Sequence, residues 1–368
     1  DEKMPQQEDV FVDAARDNEE DKAMDPAEVL MQRGAYLRQL REMERQDEAE
    51  RRQAKEECTA AEEQDENNTR KGTATGDEDE FVELPSGDRI LRYESYLAHQ
   101  RYYDDLKHID YRYIDFGEVA AAAAAAEEDE DAANATRLVI EQCKSLGKGG
   151  LVWDAAFILG TYVIHQAQEE DWSSSISQTP LRVVELGCGT GLCGMIIAKV
   201  IPNLNVYLTD LPELMPLLTR NVRRNFENIL DDSIQPDDQE RLSMHDEIAN
   251  LTIHKTSQSP VAAQVLDWAQ VQAGTANTPT YDVILGADVV ASLYDPVALA
   301  QTIHTLAHAN STVYLTFKER LSTIHRQFEN EIDKLFGRWE IFSPPRQTKR
   351  NRNPNVRIMQ MRFPIGKG

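Results

Sequence analysis

This chain of 368 residues uses cysteine sparingly, at Cys58, Cys143, Cys188 and Cys193 only. None of the four forms a C-x-x-C pair or groups with the eight histidines at metal-ligand spacing, so neither a disulfide framework nor a bound metal is expected. A reducing compartment fits such usage, and cytoplasmic or nuclear action is the expectation. No run of about 18 apolar residues occurs and the start is acidic and polar, which argues against a membrane span and a secretory signal. The chain begins at Asp1 without a methionine, which leaves room for an upstream piece. Basic excess is missing too. Lys and Arg number 39 against 64 Asp and Glu, a formal charge of −25, so direct nucleic-acid binding is not expected. The acid is unevenly spread: residues 1–135 hold about 39 acidic and 17 basic side chains, and the remainder is close to neutral.

That split suggests an acidic N-terminal extension, 1–131, ahead of a folded domain, 132–368. The first 25 or so residues have too little apolar surface to order. Residues 26–64 are rich in helix formers, with Leu30, Leu37, Leu40 and Met43 at helical spacing, and read as one long helix. Residues 67–80 and the polyalanine tract 120–131 read as linkers. Between them, 81–93 alternates around a P-S-G-D turn and reads as a hairpin, followed by a tyrosine-rich helical piece reaching 117. Helices are expected at 135–146 and 153–166. Strands and helices then alternate: strand 182–186, helix 192–200, strand 205–209, helix 213–226, strands 262–266 and 281–286, helix 296–309, strand 312–317, helix 322–335, and a closing pair at 339–342 and 356–363. The polar stretch 227–260 is too long for a simple connection and reads as an insertion. Such alternation predicts an α/β fold with a doubly wound, mainly parallel sheet and a ligand crevice at the carboxyl ends of its strands.

The densest chemical signal is Arg182 to Gly191, R-V-V-E-L-G-C-G-T-G. An apolar strand ends there in Gly187, Cys188, Gly189 and Gly191, and a helix opens at once, aiming unpaired N–H groups at whatever lies over the turn. The third glycine falls one residue too early for a dinucleotide fingerprint. Glu185 would repel a diphosphate and welcome a cation. Asp210 ends the second strand about 20 residues on, where a carboxylate can accept both hydroxyls of a ribose; capping the next helix is its alternative role. Asp267 and Trp268 close the third strand, suited to an adenine amino group and the face of its ring.

E-x-G-x-G-x-G after a strand resembles the first motif of the seven-strand, S-adenosylmethionine-dependent methyltransferases, whose cofactor carries a sulfonium in place of a pyrophosphate. G-x-x-W-D-A-A-x-x-L-x-x-Y-V, ahead of the turn, narrows the resemblance to the protein-lysine methyltransferases related to those acting on chaperones, elongation factors and the valosin-containing ATPase. The resemblance covers roughly 149–363. It implies a seven-stranded Rossmann-like sheet with a C-terminal antiparallel hairpin, S-adenosylmethionine as cofactor, and a cofactor set of Trp153, Gly187 with Gly189, Asp210, Trp268 and Ala287. It further implies a lysine of a protein substrate as acceptor.

One departure stands out. The branch ends its fourth strand with D-x-x-Y facing the acceptor, whereas this chain reads Asp288-Val289-Val290-Ala291. Asp288 is the expected catalytic carboxylate, orienting the amine, with capping of the following turn as its alternative; Tyr294, from S-L-Y-D-P, is the candidate to replace the missing ring. A small-molecule nitrogen or a histidine as acceptor, and a non-catalytic scaffold built on the acidic arm, stay open as rivals. The basic run 346–352 could dock an acceptor or be a solvated tip, and the acidic extension could recruit a basic partner.

Overall fold

The computed structural model describes residues 81–83, 89–92, 109–117, 136–172, 179–230, 258–276, 278–291, 294–318, 322–345 and 353–367. The chain divides into two units, Asp1–Gly72 and Thr73–Gly368, and every described residue belongs to the second. The expected helix at 26–64, the acidic start, both linkers, the basic run 346–352 and most of the insertion 227–260 lie outside the described residues.

A four-stranded sheet comes first, in the order β1 (Phe81–Glu83), β2 (Arg89–Arg92), β3 (Tyr111–Asp115) and β4 (Arg137–Glu141). β1 and β2 are antiparallel, as expected of a hairpin, with Phe81 opposite Leu91. Two expectations are corrected here. The end of the tyrosine-rich piece is strand β3, and the helix expected at 135–146 is strand β4 followed by a 3-10 segment, Lys144–Gly150. The reason lies in burial. Leu138, Val139 and Ile140 are consecutive and all fully buried, which a strand covered on both faces achieves and a one-sided helix does not. β3 and β4 pair across the expected boundary at 131, so residues 109–117 and 137–141 share one folded body.

The main sheet holds β5 (Leu181–Leu186), β6 (Leu204–Asp210), β7 (Val261–Val265), β8 (Tyr281–Ala287), β9 (Ala307–Lys318), β10 (Phe336–Phe342) and β11 (Val356–Pro364), in the order β10-β11-β9-β8-β5-β6-β7. β5, β6, β7, β8 and β9 run parallel, and β11 lies antiparallel between β9 and β10. The chain leaves β5 toward β6 on one side and returns to β8 on the other. The order reverses at β5, and a crevice opens at its carboxyl end.

Among the described residues, six helices cover the faces: α1 (Asp154–Glu169), α2 (Leu192–Val200), α3 (Met215–Asn225), α4 (Trp268–Gln272), α5 (Pro296–Leu306) and α6 (Ser322–Leu335). Start signals are local. α5 opens with Pro296 behind Asp295, whose carboxylate accepts the Val297 and Ala298 N–H groups at 2.8 and 3.2 Å. One core cluster joins Phe157, Ile164, Ile196, Leu218 and Val222 to Leu138 and Ile140. The other joins Val184, Ile284, Leu299, Ile303, Phe328, Ile332 and Met361. Each such fully buried side chain contributes about 1.5–3 kcal/mol of transfer free energy, so the two clusters clamp the sheet from both faces.

Among the described residues β4 is the edge of its sheet, and two side-chain amides of α3 line its outer side. Asn225 accepts the Val139 N–H at 2.9 Å and donates to the Val139 carbonyl at 2.9 Å. Asn221 accepts the Glu141 N–H at 2.7 Å and donates to the Glu141 and Thr190 carbonyls. Both amides are fully buried, and Arg220 and Arg224 reach Glu141 at 2.8 and 3.3 Å beside them. Removing one amide strands a buried N–H and C=O together. Asn225→Ala is therefore expected to lower unfolding stability by about 2–4 kcal/mol, read as a fall in the urea midpoint at unchanged slope; a shift under about 0.5 kcal/mol would refute the clasp.

Candidate active site

β5 ends in a turn with three left-handed glycines, Gly187 at φ 56°, Gly189 at φ 54° and Gly191 at φ 83°. At Gly189 the need is twofold, since a Cβ there would also lie 2.5 Å from the Gly149 carbonyl oxygen. The 3-10 segment thus presses backbone against backbone on the turn. Gly191 N–H donates to the Cys188 carbonyl at 2.8 Å to close it, and Cys188 N–H donates to Thr209 at 3.0 Å to bind it to β6. Cys188 is buried, and burial pushes its thiol pKa up, so it serves by its backbone and not as a nucleophile.

Asp210 stands at the end of β6 and reaches across to this turn. Its Oδ2 accepts the Gly189 N–H at 2.7 Å and its Oδ1 the Leu211 N–H at 2.8 Å. Burial raises its pKa and the two N–H bonds oppose that rise. A carboxylate offers about four lone-pair positions. Two are taken by these bonds, and the partly exposed remainder suits a pair of neighbouring hydroxyls.

Glu185 is placed differently from its neighbours. It is fully buried beneath the turn, with Oε2 accepting the Gly194 N–H of α2 at 2.7 Å and Oε1 without a hydrogen-bond partner. Burial, set against the Gly194 bond and reinforced by Asp210, pushes its pKa to about 8. It is mostly a neutral acid at pH 7 and acts on the crevice from below.

Asp267 caps α4, accepting the Ala269 N–H at 2.9 Å. Trp268 lies against Gly187, where an added Cβ would meet Trp268 Cζ2 at 3.4 Å. Its ring stands 5.2 Å from that of Tyr294, tilted by 56°. Burial pushes the Tyr294 hydroxyl up to about 12, with Asp210 and then Asp288 adding to the rise. The tyrosine of S-L-Y-D-P therefore sits among both carboxylates and the indole.

Ala287 ends β8, and Asp288 follows in the left-handed region at φ 58°, uncommon for a residue with a side chain. The end of β9 holds it there. Asp288 N–H donates to the Thr316 carbonyl at 2.7 Å, and Asp288 Oδ1 accepts the Lys318 N–H at 3.3 Å. Trp153, extended just ahead of α1, donates its indole N–H to the Lys148 carbonyl at 2.8 Å. Lys318 Nζ lies 5.9 Å from its ring centroid.

Sequence reasoning missed the ties around Trp153. Asp154 is buried and accepts the Asn353 amide at 2.8 Å, while Thr316 Oγ1 donates to the Ala155 carbonyl at 3.0 Å. The start of α1 is thereby pinned to the ends of β9 and β11. The signal available was the aspartate directly after the tryptophan in W-D-A-A; its partner 199 residues away was not legible.

The donor set suits an adenosyl sulfonium. Asp210 and Trp268 lie against the turn, and Tyr294 joins Trp268 with Asp210 and Asp288 near by, an environment that disfavours a diphosphate. Residues 132–250 and 237–335 match the sequence model of a family described as lysine methyltransferase. Among curated proteins, the chain is 28% identical over 214 residues to protein N-lysine methyltransferase METTL21A of Danio rerio, covering 57% of this chain and 78% of that protein. It is 27% identical over 210 residues to protein-lysine N-methyltransferase EFM6 of Saccharomyces cerevisiae, covering 53% and 73%. EEF1A lysine methyltransferase 3 of Xenopus tropicalis is 26% identical over 218 residues, covering 59% and 76%.

Because the folded-state pKa of Glu185 is raised, the native state binds the extra proton between the ordinary carboxylate range and about 8. Its contribution to stability is full below that window and is lost as pH rises through about 8. Glu185→Gln, which keeps an acceptor for Gly194, is expected to flatten this decline. Denaturant melts of both proteins across pH 5 to 9, roughly the span of the titration, check it, and parallel curves would show that Glu185 is not the buried acid described.

Proposed function

Because the chain belongs to the lysine methyltransferase family, we propose that it transfers the methyl group of S-adenosylmethionine to the side-chain nitrogen of a lysine in a protein. It is an S-adenosylmethionine-dependent methyltransferase. The relatives METTL21A and EFM6, named as protein-lysine methyltransferases, support a protein acceptor. The observation that carries the reading is the convergence of the glycine turn, Asp210, Asp288 and the Trp268–Tyr294 pair at the carboxyl ends of β5, β6 and β8.

Bound S-adenosylmethionine supplies an electrophilic methyl group on sulfur. The backbone of Gly187, Cys188, Gly189 and Gly191 would form its floor, Asp210 would take the ribose hydroxyls, and Asp267 with Trp268 would take the adenine. Trp153 and Ala287 would complete the set around it. An acceptor lysine with an intrinsic pKa of about 10.4 must lose its proton before it can attack, so its placement and desolvation supply most of the rate. Asp288, fixed by β9, orients the amine through a hydrogen bond. Tyr294 keeps its proton at neutral pH and offers a ring face and a hydroxyl to the positive charge that develops.

The rival acceptors, a small-molecule nitrogen or a histidine, rested on Ala291 standing where the branch has tyrosine. Tyr294 beside Trp268 weakens that motive. Cytoplasmic or nuclear action belongs to the same proposal, supported by the free thiols of Cys143, Cys188 and Cys193. So does a basic partner for the acidic extension, supported by its charge.

Three variants test the assignments. Asp210→Ala is expected to abolish calorimetric uptake of the cofactor. Asp288→Ala should keep that uptake within about twofold and lower single-turnover methylation of a lysate protein by roughly a hundredfold. Tyr294→Phe should keep the ring and lose about tenfold in turnover, the scale of one hydrogen bond. Full activity in Asp288→Ala would remove it from the mechanism.

A further inference from the structure

We infer that Lys318 of this chain is itself a methyl acceptor, a modification site inside the crevice; the inference rests on the reading just given. Lys318 is the last residue of β9 and is partly buried. Its main-chain N–H donates to Asp288 Oδ1 at 3.3 Å, and its ammonium lies 5.9 Å from the centroid of the Trp153 ring. The strand end beneath it is clamped from two sides, since Thr316 accepts the Asp288 N–H and donates its hydroxyl to Ala155. The root of this lysine is therefore fixed beside the carboxylate proposed to orient an acceptor amine, and its ammonium already lies near the Trp153 indole. Only the flexible stem has to move.

Chemistry favours both reaction and product at this place. An intramolecular amine needs no docking step, which removes the translational and rotational cost that a protein substrate meets. After its proton leaves to solvent, the Nζ lone pair forms the new N–CH3 bond and the S–CH3 bond breaks. The bonding pair stays on sulfur as a neutral thioether, and the nitrogen, its lone pair now in the new bond, is at once a methylammonium that keeps its two remaining protons. The product keeps its charge and adds apolar surface, and an aromatic face attracts a methylated ammonium. Trp153 would then hold the modified lysine against itself.

The test uses the full chain with methyl-labelled S-adenosylmethionine and no added acceptor, followed by peptide mass spectrometry. Lys318 is expected to gain the mass of one methylene at a rate independent of chain concentration and rising about tenfold per pH unit below the amine pKa. A second readout needs no turnover. Trace acylation of the amines, with and without S-adenosylhomocysteine, is expected to show Lys318 protected several-fold by that ligand. Uptake of the cofactor and methylation of a lysate protein, with Lys318 unmodified and unprotected, would overturn the inference and leave the proposed function standing. A methyl group found only on other lysines would do the same. Failure of the chain to take up the cofactor at all would overturn both.

Discussion

A single carboxylate ties the two halves of the site together. Asp210, at the end of β6, accepts the N–H of Gly189 in the turn that follows β5. The bond fixes a backbone segment whose three left-handed glycines give it little stiffness of its own. It also commits the aspartate to one orientation, so the lone pairs it retains point consistently at whatever occupies the crevice. Gly189 is held from the other side by Gly149, whose carbonyl approaches so closely that no side chain fits between them. The turn is thus gripped between β6 and the 3-10 segment, and the helix that starts at Leu192 inherits its direction from that grip.

The same crevice gathers negative groups that repel one another, and burial decides how each bears its charge. Glu185, wholly enclosed, gives up its charge near neutrality, and Asp210 keeps two N–H donors that offset its own desolvation. Tyr294 stays a phenol because two carboxylates and burial all oppose its ionisation. The result is a pocket with acceptor oxygens around the turn and a neutral acid below it. Such a pocket suits a ligand that arrives positively charged.

Much of this was legible in the chain because local rules and tertiary packing agree along it. Leu192–Val200 and Ser322–Leu335 are helices over the expected residues, and the parallel strands fall within a residue or two of their apolar runs, save β9, which starts five residues earlier. The failures have a common cause. R-L-V-I-E at 137–141 has helix-compatible flanks, and its ladder with β3, its full burial and its clasp by Asn221 and Asn225 make it a strand. Those partners come from α3, some 80 residues further along, and no window of sequence contains them. Lys318 and Asn353 escaped for the same reason, since each matters through a residue far away in the chain.

The role proposed for Tyr294 asks for a motif kept in space while it is broken in sequence. In the family pattern the ring follows the aspartate by three residues, and here that place holds Ala291. Asp288 turns left-handed, Val289 and Val290 bury themselves against the sheet, and the chain runs on to Tyr294, whose N–H returns to the Ala291 carbonyl at 3.1 Å. That hydrogen bond ties Tyr294 back to Ala291, and the ring stands against that of Trp268. On that proposal the requirement is an aromatic face and a hydroxyl close to the carboxylate, and the ring of Tyr294, tied to Ala291 and set against Trp268, supports it. The proposal for the acceptor side therefore begins from the backbone bond between Ala291 and Tyr294 and from the strand end that holds Asp288, and not from the spelling of the motif.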